Sequence, residues 1–414
     1  MTPLFPFQKD AVRELLAGKH MIIADCGCGK SAIMTKWLEE QGAFKIIIAT
    51  TASKVASGGF DEDFDKFTSP KFRASVKSLE CVSWHMLYKW VKNKTPEELS
   101  GYVFCADEVV RCKQGVSSQM GKAFLLITRY CKNWAGFTAT PGESWIDYHA
   151  YFIAARKVRN KTAFKREFCI EQRYPFPKIL AYQHEDTLKR WWSDISYAPD
   201  TSSVMSQLPP LTHQVIKLPA PKGYAKVKKT STTLDGEFLD SSMDLLHHLR
   251  QMCATPDKLS ALSDILESLS SLSPIVVFYN YTCEREQILG LAEKLGRRVW
   301  RIDGECHDIP MADTIGKDDI VLCHYLSGSE ALNLQFVNYW LSYSYNWSYS
   351  TTKQAMGRIR RVGQDKPQFY YWLRCEKTVE DDVAKALGKK QSFSEENWCI
   401  NYEKEHGLDN PGPI

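Results

Sequence analysis

The chain has 414 residues, more than one ordinary domain usually contains, so two domains are expected. Hydrophobic residues make up 44% and charged residues 25%, as in globular proteins, and no apolar run is long enough to cross a membrane. The formal net charge of +4 is too small to indicate nucleic-acid binding by itself.

The N-terminus lacks the basic region and apolar core of a secretory signal. The 13 cysteines are scattered, without the spacing of a disulfide framework or a zinc site. The sequence therefore predicts a cytoplasmic protein with reduced thiols, or one in the host cytoplasm if it comes from a virus or mobile element.

Short apolar runs rich in β-branched residues alternate with amphipathic stretches. The first half contains HMIIADC, KIIIATT, SLECVSW, YVFCADE and NWAGFTAT, and the second half contains SPIVVFYN, RRVWRID, DIVLCHY, VNYWLSYS and QFYYWLRC. Such runs, separated by helical patterns, are typical of buried parallel strands. The fold class predicted is α/β, with mainly parallel sheets.

A change of composition separates the two halves. Residues 208–240 are rich in Pro, Lys, Ser and Thr, which predicts a connection there. We expect an N-terminal domain over residues 1–220, a C-terminal domain over 240–400 and a loose tail over 401–414.

The stretch MIIADCGCGKS, residues 21–31, joins a predicted strand to a predicted helix. Gly27 and Gly29 allow the backbone to approach a ligand closely, and backbone N–H groups at a helix N-terminus favour phosphate. Lys30 is placed to reach the β- and γ-phosphates of a nucleotide, and the Ser31 hydroxyl to ligate Mg²⁺. A strand-to-helix turn with a solvated lysine is the alternative. Ala24 stands where the commoner phosphate-loop pattern has its first glycine.

Two adjacent acids end the run YVFCADE. Asp107 is predicted to hold Mg²⁺, through water, and Glu108 to polarise the attacking water. Neighbouring side chains of a strand point in different directions, so two roles are possible. A solvated acidic turn is the alternative.

The stretch QAMGRIRRVGQ, residues 354–364, is the strongest single signal. Arg358 and Arg361 are three residues apart and Gln354 lies four before Arg358, so on a helix the three would share a face. We expect the two arginines to act on the γ-phosphate when the second domain closes over the first.

Taken in order, these motifs and FTATPGES resemble those of the superfamily-two helicases and translocases. The resemblance is closest to the chromatin-remodeller branch, named for mating-type switching and sucrose non-fermentation, and it extends from about residue 4 to about residue 390. It implies two RecA-like P-loop domains with a nucleotide cleft between them, and ATP and Mg²⁺ as cofactors.

The resemblance also implies roles for individual residues. Gln8 would read adenine with Phe7 packed nearby, and Gly27, Cys28, Gly29, Lys30, Ser31 and Gln354 would bind the nucleotide. Thr138 and Thr140 would couple hydrolysis to motion. Nucleic-acid contacts are expected at Thr50, Thr51, Ser83, His85, Lys113, Ser327, Ser329 and Asn333.

Two further groups of side chains allow two interpretations each. The basic stretch AARKVRNKTAFKREF, residues 154–168, either grips nucleic acid or is a solvated helix face. The aromatic residues Trp340, Tyr343, Tyr345, Trp347 and Tyr349 either stack on bases or fill the core of a strand.

The function predicted is an ATP-dependent translocase on DNA, with duplex preferred over single strands or RNA. A strand-separating helicase that remodels forks or junctions is one alternative, and a nucleotide-gated clamp with little motor activity is another. We expect a monomer and no membrane partner, and the sequence is compatible with a partner protein for targeting. A kinase would share the phosphate loop but would not need Arg358 and Arg361.

Overall fold

The structure, a computed structural model, describes residues 2–25, 27–172, 178–202, 206–328, 332–361 and 363–405. It divides into two compact units, Met1–Gln207 and Leu208–Ile414. Within the described residues, no helix combines the length and apolar character that crossing a membrane requires.

The first unit is built on a six-stranded sheet in the order β3-β2-β4-β5-β1-β8, with all neighbours parallel. A separate antiparallel hairpin is formed by β6 and β7. The strands are β1 Met21–Ile23, β2 Lys45–Thr50, β3 Ser78–Ser83, β4 Val103–Asp107, β5 Asn133–Thr138, β6 Cys169–Gln172, β7 Lys178–Tyr182 and β8 Ser196–Tyr197.

Helices cover both faces of this sheet, because alternate strand residues pack into two apolar clusters. On β2, Ile47 belongs to one cluster and Ile46 and Ile48 to the other. The helices are α1 Pro6–Leu16, α2 Lys30–Glu40, α3 Ala52–Ala56, α4 Asp61–Phe67, α5 Pro70–Ser75, α6 Trp84–Lys92, α7 Pro96–Ser100, α8 Gln119–Tyr130, α9 His149–Ala154, α10 Lys161–Phe168 and α11 Glu185–Ile195. Short 3₁₀ helices span Val109–Cys112, Gly115–Ser117 and Trp145–Tyr148.

The second unit has its own six-stranded parallel sheet in the order β11-β12-β10-β13-β14-β9. Its strands are β9 Leu211–Leu218, β10 Ile275–Tyr279, β11 Val299–Ile302, β12 Ile320–His324, β13 Tyr339–Ser342 and β14 Gln368–Cys375. Its helices are α12 Tyr224–Thr230, α13 Ser242–Met252, α14 Pro256–Ser268, α15 Thr282–Lys294, α16 Tyr325–Gly328, α17 Tyr349–Met356, α18 Val379–Gly388 and α19 Glu395–Glu405.

The predicted α/β class with parallel sheets is confirmed, and each of the apolar runs quoted above contains a strand. The segment 208–240 differs from the predicted connection, because it contains β9 and α12. β9 pairs with β14 over the whole length from Leu211 to Leu218, and Tyr224 and Val227 of α12 are buried. The division at residues 207 and 208 lies at the start of that segment.

Candidate nucleotide-binding and hydrolysis site

The predicted phosphate loop connects β1 to α2 at the carboxyl end of the first sheet. Gly29 stands just before α2 with φ of 73°, and a Cβ at this position would lie 2.4 Å from Nε2 of Gln8. Only glycine fits both the left-handed backbone and this close approach. The phosphate site at the N-terminus of α2 stays a prediction, and the structure shows that the backbone at Gly29 requires glycine.

Lys30 is the first residue of α2 and its ammonium group lies over the loop. Nζ donates to the carbonyl oxygens of Ala24, at 3.2 Å, and Asp25, at 3.4 Å. A phosphate bound in the loop would offer the same donor a stronger, charged acceptor. Ser31 follows on the first turn and is partly exposed.

Gln8 ties α1 to the loop, since its Nε2 donates to the carbonyl oxygen of Cys28 at 3.0 Å while its Oε1 accepts from the N–H of Phe5 at 2.9 Å. Phe7 and Cys28 are buried in the same apolar cluster. The predicted role of Gln8 toward adenine stays a prediction, and the structure adds a contact that holds the loop. Burial of Cys28 argues against an exposed, reactive thiol, and Cys26 lies outside the described residues.

Asp107 ends β4, and Glu108 follows with φ of 48°, a left-handed conformation that is costly for a residue with a Cβ. β5 lies between β4 and β1, so the acids and the phosphate loop are at the same end of the sheet, about two strand spacings or 10 Å apart. Burial and the neighbouring Glu108 raise the pKa of Asp107 to about 6, against the opposing effects of Thr50, Lys30 and Lys54.

The Thr50 side chain, predicted to contact nucleic acid, is instead buried and occupied by another contact. It is 0% exposed at the end of β2, and its Oγ1 donates to Oδ2 of Asp107 at 2.7 Å. Thr51 is also buried; its Oγ1 caps α3 by accepting from the N–H of Lys54 at 3.2 Å. Both threonines are held inside because β2 is a central strand of the sheet.

Thr138 ends β5 beside the phosphate loop, since its carbonyl oxygen accepts from the N–H of Ala24 at 3.1 Å. Its hydroxyl is buried and accepts from the N–H of Thr140 at 3.2 Å. A displacement of the loop would therefore strain the hydrogen bonds of Thr138 and, through them, those of Thr140. The coupling role of these two residues stays a prediction.

Two of the predicted nucleic-acid contacts, His85 and Lys113, line one concavity of about 380 Å³ at the start of α8. His85 is exposed, and Nζ of Lys113 lies 3.7 Å from Oδ2 of Asp147. Ser83 is the partly buried last residue of β3 and directly precedes α6. These three residues keep their predicted role as a proposal.

In the second unit the predicted arginine helix is interrupted. α17 ends at Met356, so Arg358 and Arg361 lie in the turn that follows, whereas Gln354 is on the helix. Arg358 is buried, and its Nη1 donates to the carbonyl oxygen of Leu332 at 3.3 Å. Nε of Arg361 donates to the carbonyl oxygen of Gly357 at 2.9 Å. The expectation of one helical face is therefore wrong.

Side-chain amides hold this turn in place. Nε2 of Gln364 donates to the carbonyl oxygens of Val337 and Ile359, at 3.0 and 3.2 Å, and Nε2 of Gln368 also donates to Ile359, at 2.8 Å. Arg360 donates to the carbonyl oxygen of Pro209 at 3.2 Å. Sequence reasoning did not assign these roles to Gln364, Gln368 and Arg360, although Gln364 stands inside the quoted motif.

The remaining predictions concern residues after β12 and on β13. Ser327 is partly buried on α16 and Asn333 is exposed, while Ser329 lies outside the described residues. The base-stacking interpretation is wrong for Trp340, Tyr343 and Tyr345, which are buried in the core. Trp347 stacks on Phe393 instead, with ring centroids 5.1 Å apart.

No protein-family model matches the chain. A probable ATP-dependent helicase of Plasmodium falciparum is 39% identical over 75 residues, which cover 18% of this chain and 4% of the relative. The uncharacterized ATP-dependent helicase YqhH of Bacillus subtilis is 36% identical over 64 residues, 16% of this chain and 12% of the relative. The DNA repair protein RAD5 of Cryptococcus neoformans is 30% identical over 149 residues, 34% of this chain and 12% of the relative.

This chain is similar, over part of its length, to proteins named ATP-dependent helicases and to a DNA repair protein. It spans only a small part, 4 and 12%, of the first two relatives. A comparison with solved structures finds the Sulfolobus solfataricus SWI2/SNF2 ATPase core in complex with dsDNA, with 15% identity and a TM-score of 0.42. The match covers 98% of this chain and 94% of that structure's chain.

The donor set of the first unit suits Mg²⁺. A hydroxyl on the first turn of α2, Ser31, and a buried carboxylate, Asp107, are oxygen ligands of the kind that Mg²⁺ prefers. The raised pKa of Asp107 is itself a sign of a buried carboxylate that a cation would stabilise. These residues therefore fit a magnesium nucleotide.

Replacing Thr50 by valine is expected to raise the Mg²⁺ concentration needed for half-maximal ATPase activity by about 10- to 100-fold, the usual effect of losing a group that orients a metal ligand. The valine keeps the shape but leaves Oδ2 of Asp107 without its 2.7 Å hydrogen bond. Titration with Mg²⁺ at fixed ATP measures this. Thr51→Val is the matched control, because Thr51 caps α3 and should affect stability only. An equal Mg²⁺ requirement in both variants would contradict the assigned role.

Proposed function

We propose that this chain is a nucleic-acid-dependent ATPase that converts Mg²⁺-dependent ATP hydrolysis into movement along DNA, with duplex as the preferred track. One observation carries the proposal. The glycine loop with Lys30 and the acid pair Asp107 and Glu108 are brought to the same end of one parallel sheet, separated by a single strand. Each half of this arrangement is common alone, but together they supply phosphate binding and water activation.

Hydrolysis is assigned to the residues as follows. Backbone N–H groups of the loop and Lys30 hold the β- and γ-phosphates. Glu108, which follows Asp107 with a left-handed backbone, orients and polarises the attacking water. Mg²⁺, held by Ser31 and through water by Asp107, would neutralise charge on the phosphates. Arg361 of the second unit, supported by Arg358, stabilises the charge that develops on the γ-phosphate.

Movement follows if the two units contact ATP more favourably together than they contact ADP. Loss of the γ-phosphate removes the contacts of Arg361, which shifts the population toward an open state. Thr138 and Thr140 are placed to transmit the change, because Thr138 is hydrogen-bonded to the loop at Ala24. Each unit would hold nucleic acid at the residues predicted above, so that opening and closing produce a step.

DNA as the track is supported by two considerations. The relatives in Plasmodium and Bacillus are named ATP-dependent helicases, and the one in Cryptococcus a DNA repair protein. The concavity with His85 and Lys113 lies near the acid pair, at residues that immediately follow β4 along the chain. Polar groups of this kind position a phosphate backbone without reading its sequence.

The test is the ATPase rate without nucleic acid and then with duplex DNA, single-stranded DNA or RNA, with Lys30→Ala as the control for contaminating activity. Stimulation by duplex supports the translocase. Stimulation by single strands alone would replace it with the strand-separating helicase. Binding of nucleic acid without any stimulation would replace it with the nucleotide-gated clamp.

A further inference from the structure

A basic cavity lies at the far end of α8 from the site described above. Its volume is about 770 Å³, and it is lined by Arg129, Arg156, Lys157, Arg159 and Asn160 over an apolar floor that includes Leu125 and Val158. We call it the arginine cavity. α8 begins beside the concavity of His85 and Lys113 and ends at Tyr130 beside the arginine cavity, so the outer ends of the two sites are about 18 Å apart, the length of its 12 residues.

The turn between α9 and α10 that forms most of the arginine cavity has a fixed shape. The N–H of Lys157 donates to the carbonyl oxygen of Phe152 at 2.8 Å and that of Arg156 to Ile153 at 3.0 Å, which closes the end of α9. Oδ1 of Asn160 accepts from the N–H of Ala163 at 2.8 Å and caps α10. The cations around the cavity are therefore presented by rigid backbone.

Arg156 stands at a position where glycine is the usual residue. Its φ is 58°, a left-handed conformation that any side chain with a Cβ adopts at a cost. Val158, two residues later, is buried in the core, which leaves Arg156 and Arg159 exposed on the other side of the turn.

The charge of the arginine cavity is not neutralised from within. Lys157 pairs with Asp194 of α11 at 2.7 Å. Among the described residues, no carboxylate forms an ion pair with Arg129, Arg156 or Arg159. Guanidinium groups bind phosphate oxygens in a bidentate manner and are preferred over lysine where phosphate is recognised. Three of them around one concavity fit a phosphate backbone.

An exposed polar face of α8 connects the two sites. Gln119, Lys122 and Arg129 are exposed and lie at spacings that share one side of a helix. The distance of about 18 Å corresponds to about five base pairs of duplex at 3.4 Å each. A nucleic acid held at His85 and Lys113 can therefore reach the arginine cavity without leaving this unit.

We propose that the arginine cavity is a second contact site for the phosphate backbone of the nucleic acid on which the enzyme acts, reached from the first site along α8. This inference rests on the proposed function. Its role is to retain the track on the first unit during the part of the cycle in which the contacts next to the nucleotide are released.

The test compares wild type with the triple variant Arg129→Gln/Arg156→Gln/Arg159→Gln, on a long duplex of about 30 base pairs. We expect the Kd for the long duplex to rise about 10- to 100-fold and the slope of log Kd against log salt to fall by up to about 2.7, as for three lost phosphate contacts. The ATPase rate without nucleic acid should stay within about threefold. Lys66→Gln/Lys71→Gln/Lys77→Gln removes the same charge from exposed positions elsewhere in the unit and is the matched control.

A second variant separates binding from folding. Arg156→Gly relieves the left-handed backbone, so it should raise the unfolding temperature while weakening binding of the long duplex. Equal affinity of the triple variant, its control and wild type for the long duplex would overturn the inference and leave the proposed function standing. Failure of wild type to bind any duplex would overturn both. Polyglutamate serves as the probe for an acidic protein partner. If the triple variant binds polyglutamate more weakly than wild type does but binds the duplex equally well, the cavity belongs to such a partner and the inference is also overturned.

Discussion

Replacing Arg361 by alanine is expected to lower the nucleic-acid-stimulated rate of ATP hydrolysis by about 10³- to 10⁵-fold, the contribution that an arginine finger makes to phosphoryl transfer. The guanidinium group would act on charge that develops only in the transition state, so kcat should fall while nucleotide affinity changes little. The turn that carries it is held by Gln364 and Gln368. Single-turnover hydrolysis at saturating ATP and duplex measures the effect.

The neighbouring arginine supplies the control for this prediction. Arg360 donates to the carbonyl oxygen of Pro209 at 3.2 Å and to Oε1 of Gln368 at 2.9 Å. Arg360→Ala should therefore lower the stability of the second unit by about 1–3 kcal/mol, as for hydrogen bonds to a charged group, and leave kcat within about tenfold. The two variants remove the same charge, so opposite signatures distinguish chemistry from structure.

Arg361→Lys sharpens the comparison, since lysine keeps the charge but lacks the planar fork that binds two phosphate oxygens. We expect it to recover little of the lost rate. A stimulated rate for Arg361→Ala within threefold of wild type, with folding intact, would remove Arg361 from the catalytic machinery and with it the requirement that the units close over the nucleotide.

The strands could be predicted because burial on both faces of a parallel sheet demands nearly continuous apolar runs. In β10, every residue from Ile275 to Tyr279 is buried, and the sequence shows it directly. β9 escaped prediction because it is the edge strand of its sheet, and only Leu211, Ile216 and Leu218 are partly buried. Its Pro- and Lys-rich surroundings were typical of a connection.

Site residues that belong to one local motif could be predicted from the sequence. Contacts that depend on the register of paired strands were harder to predict. Lys30 and the glycines belong to one loop, so their spacing indicated the arrangement. The contact between Thr50 and Asp107 joins residues 57 apart in the chain and follows from the pairing of β2 with β4, which composition does not reveal. The end of α17 at Met356 was missed for a similar reason, because amides from Gln364 and Gln368 hold the next residues in a turn.

A buried ion pair of the second unit gives the other large expected effect. Lys258 of α14 and Glu380 of α18 are both 0% exposed, with Nζ and Oε1 2.6 Å apart. Oε2 of Glu380 accepts from the N–H of Cys375, at the end of β14, at 2.8 Å. Burial opposes the charge of Lys258, but the carboxylate outweighs it, and the net result is a raised pKa.

Lys258→Met is expected to destabilise the second unit by about 3–5 kcal/mol, because it leaves a buried carboxylate without its cation. The double variant Lys258→Met/Glu380→Gln removes both charges and keeps an acceptor for Cys375, so it should be more stable than Lys258→Met alone. Urea dependence of hydrogen exchange in peptides from 256–268 and 368–388 measures this, with β4 of the first unit as the internal control.

The pH dependence of Lys258→Met tests the same physical cause. Protonation of Glu380 in the folded variant removes the unpaired buried charge. At pH about 8 the exposed carboxylate of the unfolded state is ionised, whereas the folded state disfavours that charge. Lys258→Met should therefore lose less stability at pH about 5 than at pH about 8. The double variant has no such carboxylate and should show no corresponding pH effect. A loss below about 1 kcal/mol in Lys258→Met, or a double variant less stable than that single one, would mean that packing rather than charge pairing joins α14, α18 and β14.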